Sequence, residues 1–388
     1  MLPAQAAGER RQRPELADLF RQCGESYRRA HPLPASHRKV MRALERCRTA
    51  ELGGHLERCN QCGFERPAYN SCRNRHCPKC QSIAKARWLE KQKSELLPVG
   101  YFHLVFTLPH ELNPLVLAQK RVLLKILFQA VSETLREFGR THLKGTLAVT
   151  AVLHTWDQTL NGHFHLHCLV SAGALSFDQS RWVSVRKNFL FPVKALSRVF
   201  QGKFLDFLKR AFEQGKLTSS AAIGETIQGL YKKKWVVYAK APFSGPEHLL
   251  DYLGRYTHRV ALSNDRLLSV ADGQVTFTYR DRQEDDRLKL MRLDAQEFIR
   301  RFLLHVLPEG FMRIRHFGFL ANRTKKQSLA RCRELLGLLA SDPNRAPKSS
   351  HDLLWELTGV DLFHCPSCQQ GTMVIVAELP NLPRGDSS

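Results

Sequence analysis

Apolar and polar positions alternate with period two through His163-Phe164-His165-Leu166-His167-Cys168. That pattern predicts a half-buried β-strand with one apolar face and one face of imidazoles. Tyr101 to Leu108, closed by Pro109, and Thr146 to Leu153 read as further strands. Leu115, Leu117, Val122, Leu123, Ile126, Leu127, Val131 and Leu135 recur at helical spacing. They predict one long helix that opens at Asn113-Pro114 and reaches about Phe138. Strand, helix, strand, strand in that order suits an antiparallel sheet with helices packed on one side.

Elsewhere the patterning predicts helices over 15–29, 36–49 and 81–96, and one over 194–215 with Phe200, Phe204, Phe207, Leu208 and Phe212 at core spacing. A strand from Gly229 to Lys240 would carry the basic run Lys232 to Lys234 beside Trp235. Pro246 opens a helix on which Tyr252 and Tyr256 are i,i+4 neighbours, with Gly254 between them at a cost of about 1 kcal/mol against Ala. A strand pair (Arg266 to Val270, Gln274 to Arg280), a charged loop at 281–287 and a helix from Asp294 to Val306 follow. A basic run spans 313–326, and a last helix covers about 326–339.

Composition adds charge. Lys and Arg number 59 against 36 Asp and Glu, a net +23, which points to a polyanionic partner and above all to nucleic acid. Met1 to Pro14 has no apolar core, and the apolar runs at 102–108 and 122–131 are too short to span a bilayer. A cytoplasmic, nucleoid-associated protein with no membrane partner is the expectation, and its eleven cysteines then read as metal ligands and thiols.

Cys59-Asn-Gln-Cys62 and Cys77-Pro-Lys-Cys80 form two knuckles with tetrahedral zinc spacing, so Cys59, Cys62, Cys77 and Cys80 are the expected Zn²⁺ ligands. His55, Cys72 and His76 remain as substitutes or as a second site. Arg73, Arg75 and Lys79 ring the knuckles and are expected on DNA phosphates. Cys365-Pro-Ser-Cys368 supplies only two ligands; it either recruits His364 or Cys332 or is half a ribbon. On the histidine strand, His165 and His167 lie roughly 6–7 Å apart at Cα and could share a metal, whereas His163 and His167, about 13 Å apart, could not do so easily. The same pattern resembles histidine-triad nucleotide hydrolases, in which the central imidazole is the nucleophile. No glycine-rich phosphate loop is present.

Several motifs together resemble the two-tyrosine, rolling-circle insertion-sequence transposases of the His-hydrophobe-His (HUH) class, the insertion-sequence-ninety-one type. They are the segment from Ser71 to Gln81, His154-Thr-Trp with Gln158, His163-x-His165-Leu-His167, Tyr252-Leu-Gly-Arg-Tyr-Thr-His-Arg259, and the run from Arg313 to Arg323. Phe164 departs from the proline usual there and lies on the apolar face. The resemblance implies an α+β fold: an HUH-type central antiparallel sheet with flanking helices, preceded by a small zinc-binding module. It implies Mg²⁺ or Mn²⁺ at His165 and His167, and a 5′-phosphotyrosine made by Tyr252 or Tyr256. An oxygen from Gln158, or failing that Asp157, is the expected third ligand.

Single-stranded DNA at transposon ends and target DNA are the implied partners, met by Lys234, Lys240, Arg255, Arg259, Arg313, Arg315 and Arg323. The domains expected are a basic tail and helix (1–36), a zinc-binding DNA-contact domain (37–96), a catalytic domain with the tyrosine helix (97–265), a region of strands, helices and basic segment (266–340), and a linker with the last knuckle (341–388). A replication initiator or relaxase would share the chemistry. A nucleotide hydrolase leaves the knuckles, the charge and the tyrosines unexplained, and a non-catalytic zinc-ribbon regulator would not need the histidines.

Overall fold

The computed structural model describes residues 13–382 except 186–188, 219–221, 241–253, 255–260, 282–283, 339–347, 350–351, 354, 357–358 and 360. Its centre is a six-stranded antiparallel sheet built from β3 (Tyr101–Thr107), β4 (Gly145–Trp156), β5 (Gly162–Ser176), β6 (Trp182–Ser184), β7 (Val236–Lys240) and β11 (Ile314–Gly318). The strand order is β11-β4-β5-β3-β7, with β6 added on β5. Strand alternation decides which face is buried. Phe102, Leu104 and Phe106 of β3 share one core with Phe164, Leu166 and Cys168 of β5 and with Leu147, Val149 and Ala151 of β4. Helices α5 (Lys120–His142) and α6 (Val193–Glu213) cover that face through Leu123, Leu127, Phe200 and Phe204. The opposite face carries the histidines.

The helix expected from Asn113 to Phe138 is broken. α4 (Asn113–Ala118) ends at Gln119, whose φ of −132° and ψ of 47° are not helical, and α5 begins afresh. Val116 of the first piece and Leu123 of the second lie in the same core, and the turn between them lets both reach it. The strand expected over 229–240 is corrected too. Helix α7 (Ala222–Lys232) occupies its first part and only β7 is extended. Trp235 anchors the switch: its ring meets Phe200 and Phe204 at 5.3 Å, and its Nε1 donates to Leu230 O at 3.2 Å.

A second core joins the two ends of the chain order. α1 (Leu16–Ala30) and α2 (Ala35–Arg46) pack through Leu19, Phe20 and Met41 against Phe277, Phe298 and Phe302. These come from the sheet β8 (Leu267–Ala271), β9 (Gln274–Asp281) and β10 (Arg287–Asp294) and from helix α8 (Ala295–Leu303). Strand β10 escapes pattern reading because Leu288 and Leu290 are exposed, at 59% and 66%. α8 starts where Asp294 caps it, accepting from Gln296 N at 2.8 Å. The 266–340 region thus shares its core with the N-terminal helices, and its β11 pairs with β4. A third sheet, β12-β1-β2, joins β1 (Gly54–Cys59) and β2 (Glu65–Tyr69) to β12 (Met373–Leu379). α3 (Pro78–Glu95) and α9 (Lys325–Leu335) complete the elements used below. Among the described residues no helix is long and apolar enough to cross a membrane.

Phe200 is fully buried and meets Phe106, Phe204 and Trp235 edge-on or tilted. Phe200→Ala should therefore cost about 3–5 kcal/mol, read as a lowered urea midpoint. A cost below about 1 kcal/mol would place the core elsewhere.

Candidate metal centres

The face of the sheet turned away from α5 and α6 gathers imidazoles by register. On the β4–β5 ladder His154 stands opposite His165, and Val152 opposite His167. On the β3–β5 ladder His103 pairs with Leu169, one same-face step beyond His167. One ring nitrogen from each of His154, His165 and His167 lies within 4.8 Å of the other two. His165 Nε2 and His167 Nε2 face each other at 3.1 Å. His165 Nδ1 lies 2.9 Å from His163 O, which can only accept, so Nδ1 carries the proton and Nε2 the lone pair. His167 Nδ1 meets His103 Nε2 at 2.8 Å. If His167 Nδ1–H donates to His103, His167 Nε2 is also a lone pair and the two Nε2 atoms can share a cation; if His103 donates instead, His167 Nε2–H can donate to His165. His103, His154 and His165 are 5%, 4% and 8% exposed, so this chemistry is shielded from water. Burial, and behind it the Lys240 ammonium, holds His103 down to about 4.

Beside His165 and His167 stands His154, stacked on Trp156 at 4.9 Å, as a third imidazole that the sequence reading does not assign to the metal. Gln158 lies in the turn before β5, its carbonyl accepting from Arg266 Nη2 at 2.6 Å. Asp157 is consumed by the same turn: its carboxylate accepts from Thr159 N, Thr159 Oγ1 and Asn161 N at 2.8–2.9 Å. His163 stays outside the three. His103 was legible only as a polar residue within an otherwise apolar strand.

Tyr252, Tyr256, Arg255 and Arg259 lie outside the described residues. Gly254, midway between the tyrosines, is described and buried. A Cβ there would lie 3.0 Å from Lys85 Cε and 3.2 Å from Leu89 Cδ1, so a side chain would need those two residues of α3 to give by a few tenths of an ångström. Leu89 packs on Tyr101 and Leu169, the latter on the histidine face.

The cysteines regroup. Cys59, Cys62, Cys77 and Cys80 do not come together. Cys47, Cys72, Cys77 and Cys80 form one cluster, and Cys59, Cys62, Cys365 and Cys368 another. In the first, Cys47–Cys80, Cys47–Cys77 and Cys72–Cys80 sulfurs are 3.7, 3.6 and 3.6 Å apart. Four sulfurs around zinc at about 2.3 Å would be about 3.8 Å apart, so the cluster fits that ion. The reason for the split is the β1–β2 hairpin, which carries 59–62 away from the start of α3, where Cys77 and Cys80 sit. Hydrogen bonds from Cys72 and Cys77 hold the Cys47 thiol down to about 7, and those from Cys47, Cys72 and Cys77 pull Cys80 far lower. His55 bonds Glu57 at 3.2 Å instead, and His364 bonds Asp361 at 2.7 Å. Cys332 is buried among apolar residues, and burial pulls His76 down to about 3.

The basic residues divide as well. Arg75 donates to Phe311 O at 2.5 Å and Pro308 O at 3.0 Å, Arg313 to Gln81 Oε1, and Arg315 stacks 4.1 Å over Phe128. Lys79 pairs with Glu15 at 2.7 Å. These bonds tie them into the fold, though Arg75, Arg313 and Arg315 also line a cavity; Arg73, Lys234, Lys240 and Arg323 are exposed. A cavity of about 780 Å³ between α3, the start of α5 and β11 is lined by Lys91, Arg121, Lys125 and Lys325, with Glu95 its acid.

Two family profiles match this chain: one described as "Putative transposase" over residues 148–328, and one described as "Transposase zinc-binding domain" over residues 19–108. The chain is 50% identical over 377 residues to "Putative transposase y4qJ" of Sinorhizobium fredii, covering 94% of this chain and 95% of that one. It is 29% identical over 349 residues to "Transposase for insertion sequence element IS801" of Pseudomonas savastanoi pv. phaseolicola, covering 87% and 82%.

His305, 3% exposed, clamps the histidine hairpin by bonding Leu160 O at 3.0 Å and Thr155 Oγ1 at 3.2 Å. Burial lowers it from 6.5 to about 4. Between those values the unfolded chain binds the extra proton, so its contribution is complete above pH 6.5 and is lost as pH falls towards 4. Urea midpoints should fall from pH 6.5 to about 5.5, a window largely above carboxylate titration, and His305→Asn should flatten that slope; an unchanged slope would contradict the clamp.

Proposed function

The chain belongs to the insertion-sequence-ninety-one type of transposase, and on that premise we propose that it nicks and joins single-stranded DNA in rolling-circle transposition. The reading assigns Mg²⁺ or Mn²⁺ to His154, His165 and His167, and covalent attachment of the 5′ end to Tyr252 or Tyr256. The observation that carries it is the convergence of three imidazole nitrogens on one face of the sheet; Gly254, between the tyrosines, lies against Lys85 and Leu89 of α3.

The donors fit a divalent cation, and an all-nitrogen set suits Mn²⁺ better than Mg²⁺. Bound there, it would polarise a phosphodiester oxygen and offset charge developing on phosphorus. The chain's own residues prepare the place. His163 O and His103 fix the ring orientations of His165 and His167, as outer partners do around metal ligands. Burial excludes water that would compete with the tyrosine. In the step itself a tyrosine oxygen bonds to phosphorus as the P–O3′ bond breaks. The phenol gives up its proton, and the departing 3′ oxygen takes one up to become a hydroxyl. Attack by another strand's 3′-hydroxyl reverses the bond changes and joins that strand. Two tyrosines allow two 5′ ends to be held at once.

The zinc-binding domain supports this centre mechanically. Zinc on Cys47, Cys72, Cys77 and Cys80 would fix the first turn of α3, whose Lys85 and Leu89 lie against Gly254. Arg73, Lys234, Lys240 and Arg323, with the basic cavity, would follow the phosphate backbone, making binding steeply salt-dependent.

Incubation with Mn²⁺ and single-stranded oligonucleotides from the element's ends should give a covalent protein–DNA adduct on a denaturing gel. His165→Ala should cut its rate about a hundredfold or more, whereas Gln158→Ala should leave it within about threefold. Adduct formed by Tyr252→Phe/Tyr256→Phe protein would remove the tyrosines from the chemistry.

A further inference from the structure

The zinc-binding profile ends at residue 108, yet one of its knuckles finds its partner more than 250 residues later. We propose that Cys59, Cys62, Cys365 and Cys368 bind a second zinc ion, which fastens the segment 365–379 to the β1–β2 hairpin. Cys59 and Cys368 sulfurs lie 3.7 Å apart, and Cys62 and Cys365 sulfurs 3.6 Å. These are the edges expected of a tetrahedron with arms of about 2.3 Å, and far longer than a disulfide bond of about 2.05 Å.

The backbone around the sulfurs is arranged for thiolates. Cys59 Sγ accepts from Gln61 N at 3.4 Å and Cys62 N at 3.5 Å. In the other knuckle each sulfur accepts one such bond, Ser367 N on Cys365 Sγ at 3.4 Å and Gly371 N on Cys368 Sγ at 3.3 Å. Two knuckles, each with an i+2 backbone N–H on the sulfur of its first cysteine, face one another, which is how a four-cysteine site is assembled from two halves.

The surrounding sheet supplies the second line of argument. β12 pairs with β1 from Gly54 opposite Leu379 to Cys59 opposite Met373. Asn60 N donates to Thr372 O at 3.1 Å, and Thr372 N donates to Asn60 Oδ1 at 2.8 Å. Yet the buried apolar cluster in this sheet consists of Cys59, Cys365 and Met373, with Cys368 against it, while Val374, Ile375 and Val376 are exposed. A three-stranded sheet with so little core needs another source of stability, and metal binding by its four central sulfurs is one. The fit is close: a Cβ at Gly371 would collide with Cys59 Sγ.

The zinc-binding module is therefore completed only by the far end of the sequence. Arg66 Nη2 adds to that junction by donating to Leu362 O at 2.7 Å.

Metal analysis of the full-length protein tests this without reference to DNA cleavage. Two zinc ions per chain are expected. Cys365→Ser/Cys368→Ser should lose one, Cys59→Ser/Cys62→Ser should lose the same one, and all four substitutions together should still lose only one. Cys72→Ser/Cys80→Ser should lose the other. In the wild-type protein, alkylation should spare the exposed Cys62 together with Cys59, Cys365 and Cys368 until a chelator releases all four. Gly371→Ala, which keeps every thiol, should weaken one site and leave the other intact. One zinc in the wild-type chain, two retained by Cys365→Ser/Cys368→Ser, or prompt alkylation of Cys62 in the zinc-loaded protein would overturn the proposal.

Discussion

Everything at the histidine face depends on the register of β4 against β5. Antiparallel pairing brings His154 directly opposite His165, where side chains of facing residues are about 4.5–5.5 Å apart at Cβ, while same-face neighbours on one strand are roughly 6–7 Å apart. A third imidazole is thus closer across the ladder than along it. A slip of one residue would turn the histidines of β5 into the core and bring Phe164 and Leu166 out. The turn at 157–161 guards against that slip. Asp157 gathers its donors, Leu160 is buried at a φ of +66°, and Arg301 Nη1 donates to Thr159 O at 3.1 Å. Arg266 and His305 take the carbonyls of Gln158 and Leu160. The second core, which supplies those three side chains, therefore braces the tip of the hairpin.

Zinc and histidine sites are linked through α3. Its first turn carries Cys77 and Cys80, its middle lies against Gly254, and Leu89 meets Leu169 two residues beyond His167. A four-sulfur cluster at one end of a helix is a rigid anchor, and the helix transmits that rigidity along its length. This gives the zinc-binding domain a structural reason to precede the sheet, beyond any contact with DNA.

The sequence showed most of what depends on local periodicity. Strands β3, β4 and β5 and helices α1, α2, α5 and α6 follow from spacing alone, as does the imidazole face of β5. What it hid depends on partners distant in sequence. His154 belongs to a motif of the resemblance but has no assigned role until the ladder places it opposite His165. Each of the three Cys-x-x-Cys knuckles was visible as half a site, but the choice of other half is tertiary, and the two expected to pair with each other, 59/62 and 77/80, sit in different clusters. Charge alone also hid structural roles: Arg75, Arg313 and Arg315 count towards +23 and line the basic cavity, while holding carbonyls, an amide and an aromatic ring.

The central claim is that three imidazoles, and not two with an amide, hold one divalent ion. Nitrogen couplings to bound Mn²⁺, measured by pulsed electron paramagnetic resonance, test it most directly. The account predicts couplings from three imidazole nitrogens, with one lost in His154→Ala and none in Gln158→Ala. A spectrum unchanged by His154→Ala, or Mn²⁺ bound with no imidazole coupling, would contradict it.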